Sequence, residues 1–185
     1  MTTPSPSPRL PFPSKRAQMS FLFLFHALVS GGFIVAYLTG DEDTYGMHLF
    51  AGYTVLIAVA VRLALGLIAP DGSPLRLPHP SRAALGQWLG WLVRGDSRAW
   101  RGRPAVLSWM AALLLAALAL VTVSGVAADA VSKLEHLHEA LSTLGLWLIV
   151  GHVAVVFGLH GLKHLQTAAP APSPVHPTST HGATP

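Results

Sequence analysis

The chain has 185 residues, 51% of them hydrophobic and only 11% charged, whereas a soluble globular domain carries about 25% charged residues, so that class is excluded. It contains no cysteine, which removes disulfides, thiolate metal sites, iron–sulfur clusters and covalent C-x-x-C-H haem attachment. The net charge of +4 and the pI near 10.0 suggest nucleic acid as a partner, but the distribution of those charges along the chain turns them into a membrane-orientation signal instead.

Residues 1–18 are rich in Pro, Ser and Thr and include Arg9, Lys15 and Arg16; without apolar periodicity they are predicted to be a disordered basic tail. The apolar stretch from Phe21 to Thr39 exceeds a signal-peptide core of about 7–15 residues and lacks a small-residue cleavage site, so it is kept as an anchor. Four apolar runs follow in all, over about 20–39, 46–69, 105–128 and 138–163, each near the roughly 20 residues that span a bilayer core. The expected fold is all-α: an integral membrane four-helix bundle over residues 19–165, with 166–185 a second disordered tail. An acidic turn, Gly40-Asp41-Glu42-Asp43, joins the first two runs, and residues 129–137 join the last two. Within the polar connector 70–104, Leu85, Trp88, Leu89 and Leu92 recur at helical spacing, Ser81 follows Pro80 as an N-cap and Arg94 closes the last turn. Two readings of that segment stand side by side: a helix lying in the membrane interface, or a short helix capping the bundle.

Loop charge fixes the expected topology. Arg9, Lys15, Arg16, Arg76, Arg82, Arg94, Arg98, Arg101, Arg103 and Lys163 fall on one side, while Lys133 alone faces Asp41, Glu42, Asp43, Asp129, Glu135 and Glu139 on the other. Both termini are therefore expected in the cytoplasm.

The apolar runs carry His26, His48 and His152, and His138 opens the last of them. Ionisable residues in a span are costly and turn toward the bundle interior or a cofactor. His138 and His152 are 14 residues apart, four turns of a helix at about 3.5 residues per turn, so they share a face about 21 Å apart along the axis. Depth pairs His48 with His138 near the outer face and His26 with His152 nearer the cytoplasm. Two imidazoles from facing helices at one depth suit the opposite axial positions of a porphyrin iron. Tetrahedral zinc is the rival, and two-His sites without Cys suit it poorly. Gly52, one turn past His48, and Gly145, midway between His138 and His152, are candidates for clearing space beside a flat ring; close helix packing is the other use of such glycines. Arg62, 14 residues after His48, reaches the depth of the inner pair, where it either snorkels or binds a haem propionate or a quinone head group. His136 points away from His138 and is expected at the interface. His160 and His164 are expected at the cytoplasmic interface, and His79, His176 and His181 in solvent.

The segments Phe25-His26 with Ala36-Tyr37-Leu38-Thr39-Gly40, Met47-His48-Leu49-Phe50-Ala51-Gly52-Tyr53, Val61-Arg62-Leu63, Leu137-His138-Glu139-Ala140-Leu141 and Gly151-His152-Val153-Ala154 together resemble the bacterial cytochrome b561 family, which includes the cytochrome b subunits of nickel–iron hydrogenases. The resemblance spans about 20–165. It implies two haems b with bis-His ligation by the pairs above, a quinone as electron partner, and residence in the bacterial inner membrane. The second partner differs among members: a hydrogenase or other dehydrogenase, a periplasmic c-type cytochrome, or superoxide. Many members have Trp after the first-span His, where this chain has Ala27.

Two functions follow as expectations. One is electron transfer in a respiratory chain between quinone and a periplasmic redox protein. The other is an enzyme, a superoxide:quinone oxidoreductase, which calls for a basic outer funnel to steer the anion; the outer loops here are acidic.

Overall fold

The computed structural model describes residues 12–100 and 104–167. The expected tails, apart from residues 12–18, 166 and 167, lie outside the described residues, as do Arg9, Arg101, Arg103, His176 and His181, and the side chains of Lys163 and His164. Five α-helices make up the described chain: α1 (Lys15–Leu38), α2 (Tyr45–Ile68), α3 (Arg82–Val93), α4 (Ala105–Ala130) and α5 (Glu135–Thr167). There are no strands among the described residues.

Four helices, all but α3, are long and apolar enough to cross a membrane. At 1.5 Å per residue, the 24 residues of α1 are about 36 Å long, more than the roughly 30 Å of a bilayer core. Their outward faces are apolar: Phe23, Phe50, Leu67, Trp147 and Phe157 are all at least two-thirds exposed. Surface of that kind on every long helix belongs against lipid, not water. The chain is a multi-pass membrane protein on these grounds.

The helix ends follow local chemistry. Ser14 accepts a hydrogen bond from the Ala17 N–H at 3.3 Å, so α1 starts at Lys15, ahead of the apolar run that begins near residue 20. At its other end, α2 gives way to Ala69 in extended conformation, the geometry imposed on a residue before proline, here Pro70. Ser81 caps α3 through the Ala84 N–H at 3.3 Å. Gly95, at φ 65°, ends that helix: its N–H donates to Leu92 and the Asp96 N–H to Trp91, a Schellman closure. α3 is tied down by indole N–H groups, with Trp88 donating to Ala99 at 3.1 Å and Trp109 of α4 to Ser81 at 3.3 Å.

Short connections, 39–44 and 131–134, lie at one end of the bundle (the turn end), and the long connector, the start of α1 and the end of α5 lie at the other (the termini end). Close packing runs from α1 to α2, α2 to α4, and α4 to α5. The core is Val29 and Phe33 of α1, Val55 and Val59 of α2, and Leu118 and Val121 of α4. Gly32 permits the α1–α2 crossing, since a Cβ there would lie 2.7 Å from Val55 Cγ2. No described side chain of α5 is fully buried; Gly145 alone is. The last helix thus leans on α4 while its face toward α1 and α2 is filled sparsely, and that face carries the histidines.

Candidate site: two histidine pairs stacked along one helix

The structure brings the four membrane histidines together in two pairs. His48 of α2 and His138 of α5 have ring centroids 6.1 Å apart with planes at 82°, and His26 of α1 and His152 of α5 are 6.4 Å apart at 80°. α2 and α5 both start at the turn end, so His48 and His138, each three residues into its helix, meet there. The second pair lies about 21 Å deeper, the length of the 14-residue step along α5. The pairing by depth and the shared face of α5 are as the spacing predicts.

The separations carry chemical information. With a metal–imidazole bond of about 2.0 Å and about 1.1 Å from nitrogen to ring centre, two imidazoles opposite one another on an ion have centroids about 6.2 Å apart, and two at a tetrahedral angle about 5.1 Å. Both pairs match the opposite arrangement. No group of three or more His, Cys, Asp or Glu that could hold a metal exists among the described residues, so neither pair has the further ligands that structural zinc requires. Edge-to-face ring packing covers similar separations, about 4.5–7 Å; the setting of the turn-end rings is what sets them apart from simple packing.

At the turn end both ring orientations are fixed through Nδ1. His48 Nδ1 lies 2.7 Å from the Ala36 carbonyl in the last turn of α1. A carbonyl only accepts, so Nδ1 carries the proton and the lone pair is on Nε2. His138 Nδ1 lies 3.1 Å from Ser124 Oγ, and the Ser124 hydroxyl donates to the Val121 carbonyl at 2.9 Å. With its proton committed there, Ser124 Oγ accepts from Nδ1–H, and Nε2 of His138 is likewise the lone-pair nitrogen. Histidines that bind metal characteristically donate their other N–H in this way. Tyr45 stacks on His48 at 9° and 5.9 Å, and its hydroxyl donates to Asp129 at 3.1 Å, linking the ends of α2 and α4. The inner pair is different: neither ring has a hydrogen bond among the described residues, and His152 Nδ1 is buried without a partner. His26 is exposed in mid-helix, a costly position for an imidazole facing lipid.

A cleft of about 940 Å³ opens at the turn end, lined by His48, His138, Gly52, Phe33, Tyr37 and Tyr53 among others. That is the upper part of the range for small-molecule and cofactor sites, about 300–1,000 Å³. Its walls also carry Asp41, Glu42, Asp129, Glu135 and Glu139 and no Lys or Arg, so its potential is negative. Gly52 borders open space, with nothing within 4 Å of where a Cβ would stand, whereas a Cβ on Gly145 would meet Val121 at 3.4 Å and Phe33 at 3.7 Å. Gly52 therefore clears the cleft, and Gly145 serves helix contact. Gly125 has a role its sequence position does not announce: a Cβ there would come within 3.0 Å of His138 Cε1, so the ring lies directly against α4.

Arg62 is held by the protein's own backbone. It is buried, at 7% exposure, and does not snorkel: it donates to the carbonyls of Leu75 at 2.6 Å and Arg76 at 3.4 Å. Ser73 joins the same network, donating to Gln18 of α1 at 2.7 Å and accepting from the Leu75 N–H at 3.2 Å. The connector thus folds back over the termini end and is latched to α1 and α2. Gly66 makes room for it, since a Cβ there would lie 2.6 Å from Leu77 Cδ2. His136 is exposed and lies 3.8 Å from Glu139, but is not among the residues that line the cleft; His160 is exposed as well.

No family model, curated protein or solved structure matches the chain.

Proposed function

We propose that this chain is a di-haem b membrane cytochrome that carries electrons between a quinone and a redox protein outside the bacterial inner membrane. The observation that carries the proposal is the pair of His–His contacts at opposite-ligand spacing, 14 residues apart on α5, with the outer rings tethered through Nδ1. His48 and His138 would hold one haem b through Nε2, and His26 and His152 the other. Without cysteine the attachment is non-covalent. Held by two imidazoles, each haem would supply a one-electron couple and exchange electrons without binding oxygen.

The residues of the chain do the rest. The hydrogen bonds from Nδ1 hold the outer imidazoles in one tautomer and orientation. Gly52 and Gly125 leave room beside the rings, and the apolar core of α1, α2 and α4 excludes water between the two levels. The basic residues at the termini end, Arg76, Arg82, Arg94 and Arg98 among them, and the acidic turn end support a cytoplasmic location for both termini. α3 suits a place along that cytoplasmic interface: Val93 is 87% exposed beside a buried Trp88. A quinone would exchange electrons with the inner level and a periplasmic c-type cytochrome or dehydrogenase subunit with the outer one. Superoxide is disfavoured as the outer substrate because five carboxylates line the cleft it would enter.

The test is direct. The full chain purified in detergent should show a reduced b-type spectrum, and pyridine haemochrome analysis should give two haems per chain. A colourless protein, or one that takes up zinc in place of haem, would sink the proposal.

A further inference from the structure

Resting on the placement of α3 along the membrane interface, and not on the haem reading, we propose that α3 is a docking surface for anionic phospholipid. Arg82 and Arg94 each hold a headgroup phosphate, and Leu89 and Val93 are set into the acyl region between them.

The helix has three sides. Its 12 residues make it about 18 Å long, too short for the roughly 30 Å of a bilayer core. At about 100° per residue, Arg82, Leu89 and Val93 fall within about 40° of one another, with Trp88 roughly 120° to one side and Gln87 and Arg94 roughly 120–140° to the other. Trp88 is buried and donates to the Ala99 carbonyl, so that side is turned to the protein. Leu89 is 45% and Val93 87% exposed, and Gln87 and Arg94 are exposed as well. One side on protein, one apolar side open and one polar side open fit the boundary between acyl chains and water. Arg82 shares the apolar row, and its side chain is long enough to reach the headgroup layer.

Charge selects the class of lipid. Arg76 pairs with Asp71, and Arg98 lies 4.0 Å from Asp96. Lys15, Arg16, Arg82 and Arg94 are exposed at the same end of the bundle and have no ion-pair partner among the described residues. Arg94 is also pre-set. Its Nε donates to the Gly90 carbonyl at 2.9 Å, which lays the guanidinium back along α3, and a Cβ on Gly90 would stand 3.0 Å from Nη2. Neither Nη group has an acceptor among the described residues, and paired N–H donors of this kind match a phosphate. A zwitterionic headgroup brings its own cation to such a place, whereas an anionic one brings the charge that the unpaired arginines lack.

Two measurements test this. The chain has no cysteine, so Val93→Cys gives a single point for a nitroxide label. In vesicles of phosphatidylcholine and phosphatidylglycerol the label should collide with dissolved oxygen in preference to a water-soluble nickel chelate; the reverse preference takes α3 out of the membrane and overturns the inference. Native mass spectrometry of the detergent-solubilised full chain, offered both lipids in equal amounts with identical acyl chains, should show phosphatidylglycerol preferred by at least about fivefold, the factor for one basic residue at an anionic surface. Arg82→Gln and Arg94→Gln should each lower phosphatidylglycerol binding by about that factor and leave phosphatidylcholine unchanged. Lys133→Gln, at the turn end, should change neither. Absent selectivity, selectivity that survives in the double arginine variant, or an equal loss in Lys133→Gln overturns the proposal. Displacement of the lipid by equimolar inorganic phosphate would make the occupant a soluble anion and overturn it too. A chain isolated without haem that keeps the selectivity overturns the functional proposal alone.

Discussion

Gly125 offers the sharpest probe of the outer pair, because it acts on His138 without removing any ligand or any charge. Substitution by Ala would put a Cβ 3.0 Å from Cε1, 3.4 Å from Nδ1 and 3.5 Å from Nε2 of that ring. Carbon atoms rest at about 3.5–4.0 Å, so the ring must retreat from α4 by roughly 0.5 Å. Ser124 is on the same helix as the new methyl, and retreat stretches its 3.1 Å contact to Nδ1 beyond the length of a hydrogen bond. Overpacking of this kind costs about 1–3 kcal/mol, and the lost hydrogen bond about another 1 kcal/mol. At about 1.4 kcal/mol per decade, the sum weakens haem retention at the outer pair roughly 30- to 700-fold. The assay is haem content after purification, followed by titration of haem back into the detergent-solubilised chain. Gly125→Ala should fall from two haems toward one, with the half-saturation of the second shifted by that factor. Gly31→Ala, where nothing lies within 4 Å, should keep both. If Gly125→Ala and the bulkier Gly125→Val both retain two haems at unchanged half-saturation, His138 is not a ligand in the position described.

The remaining predictions concern the pairs, the latch and the outer surface. His48→Ala or His138→Ala should remove one haem and His26→Ala or His152→Ala the other, and the double variant of His138 and His152 should be colourless; loss of the outer haem in His136→Ala instead would show that α5 is rotated from the register described. Gly66→Val should drive Leu77 off α2 and break the Arg62 contacts, seen as faster protease cleavage within residues 70–81 in membranes whose termini end is accessible; cleavage as slow as in the wild type would mean that the latch holds by other contacts. Exchange of electrons with a basic periplasmic carrier should slow as salt rises through about 0.1 M, where the Debye length is near 10 Å. Replacing Asp41, Glu42 and Asp43 by Asn and Gln should flatten that dependence without altering the spectrum, whereas a rate indifferent to both would move the docking site elsewhere.

The parts of this arrangement that depend on axial position were legible in the sequence, and the parts that depend on helix rotation or loop path were not. Counting residues from the ends of the apolar runs is enough to level His48 with His138 and His26 with His152, because a helix converts residue number into depth at a fixed rise. Nothing in that count says which residue of α4 faces His138, so Ser124 and Gly125 were invisible; a small polar residue followed by glycine within an apolar span was the only signal. Ala36 was less accessible still, since its contribution is a backbone carbonyl in the last turn of α1, one that also accepts from the Thr39 N–H at 3.4 Å. Arg62 was set at the correct depth, but its partner depends on residues 70–81 folding back over α2, and a polar connector carries no periodicity that reveals its path. The start of α1 at Lys15 was missed because hydropathy marks the lipid-facing stretch, while the helix itself is set by the cap at Ser14. The neighbours of Gly145, Val121 and Phe33, come from two other helices, and spacing on one helix cannot count them.

The last helix holds one member of each pair, and this bears on how the protein is made. Translation delivers α1, α2 and α4 to the membrane before α5 exists, so His26 and His48 wait in the bilayer as half-sites, each a lone imidazole without its counterpart. Neither site can close until residue 152 has left the ribosome and α5 has docked on α4. On the di-haem reading, haem loading would be an event of the finished chain, with α5 as the closing member: an insertion defect confined to it would leave a three-helix product, apolar enough to stay in the membrane, with neither histidine pair complete. On the same reading, a chain that held both haems would necessarily have inserted its final span.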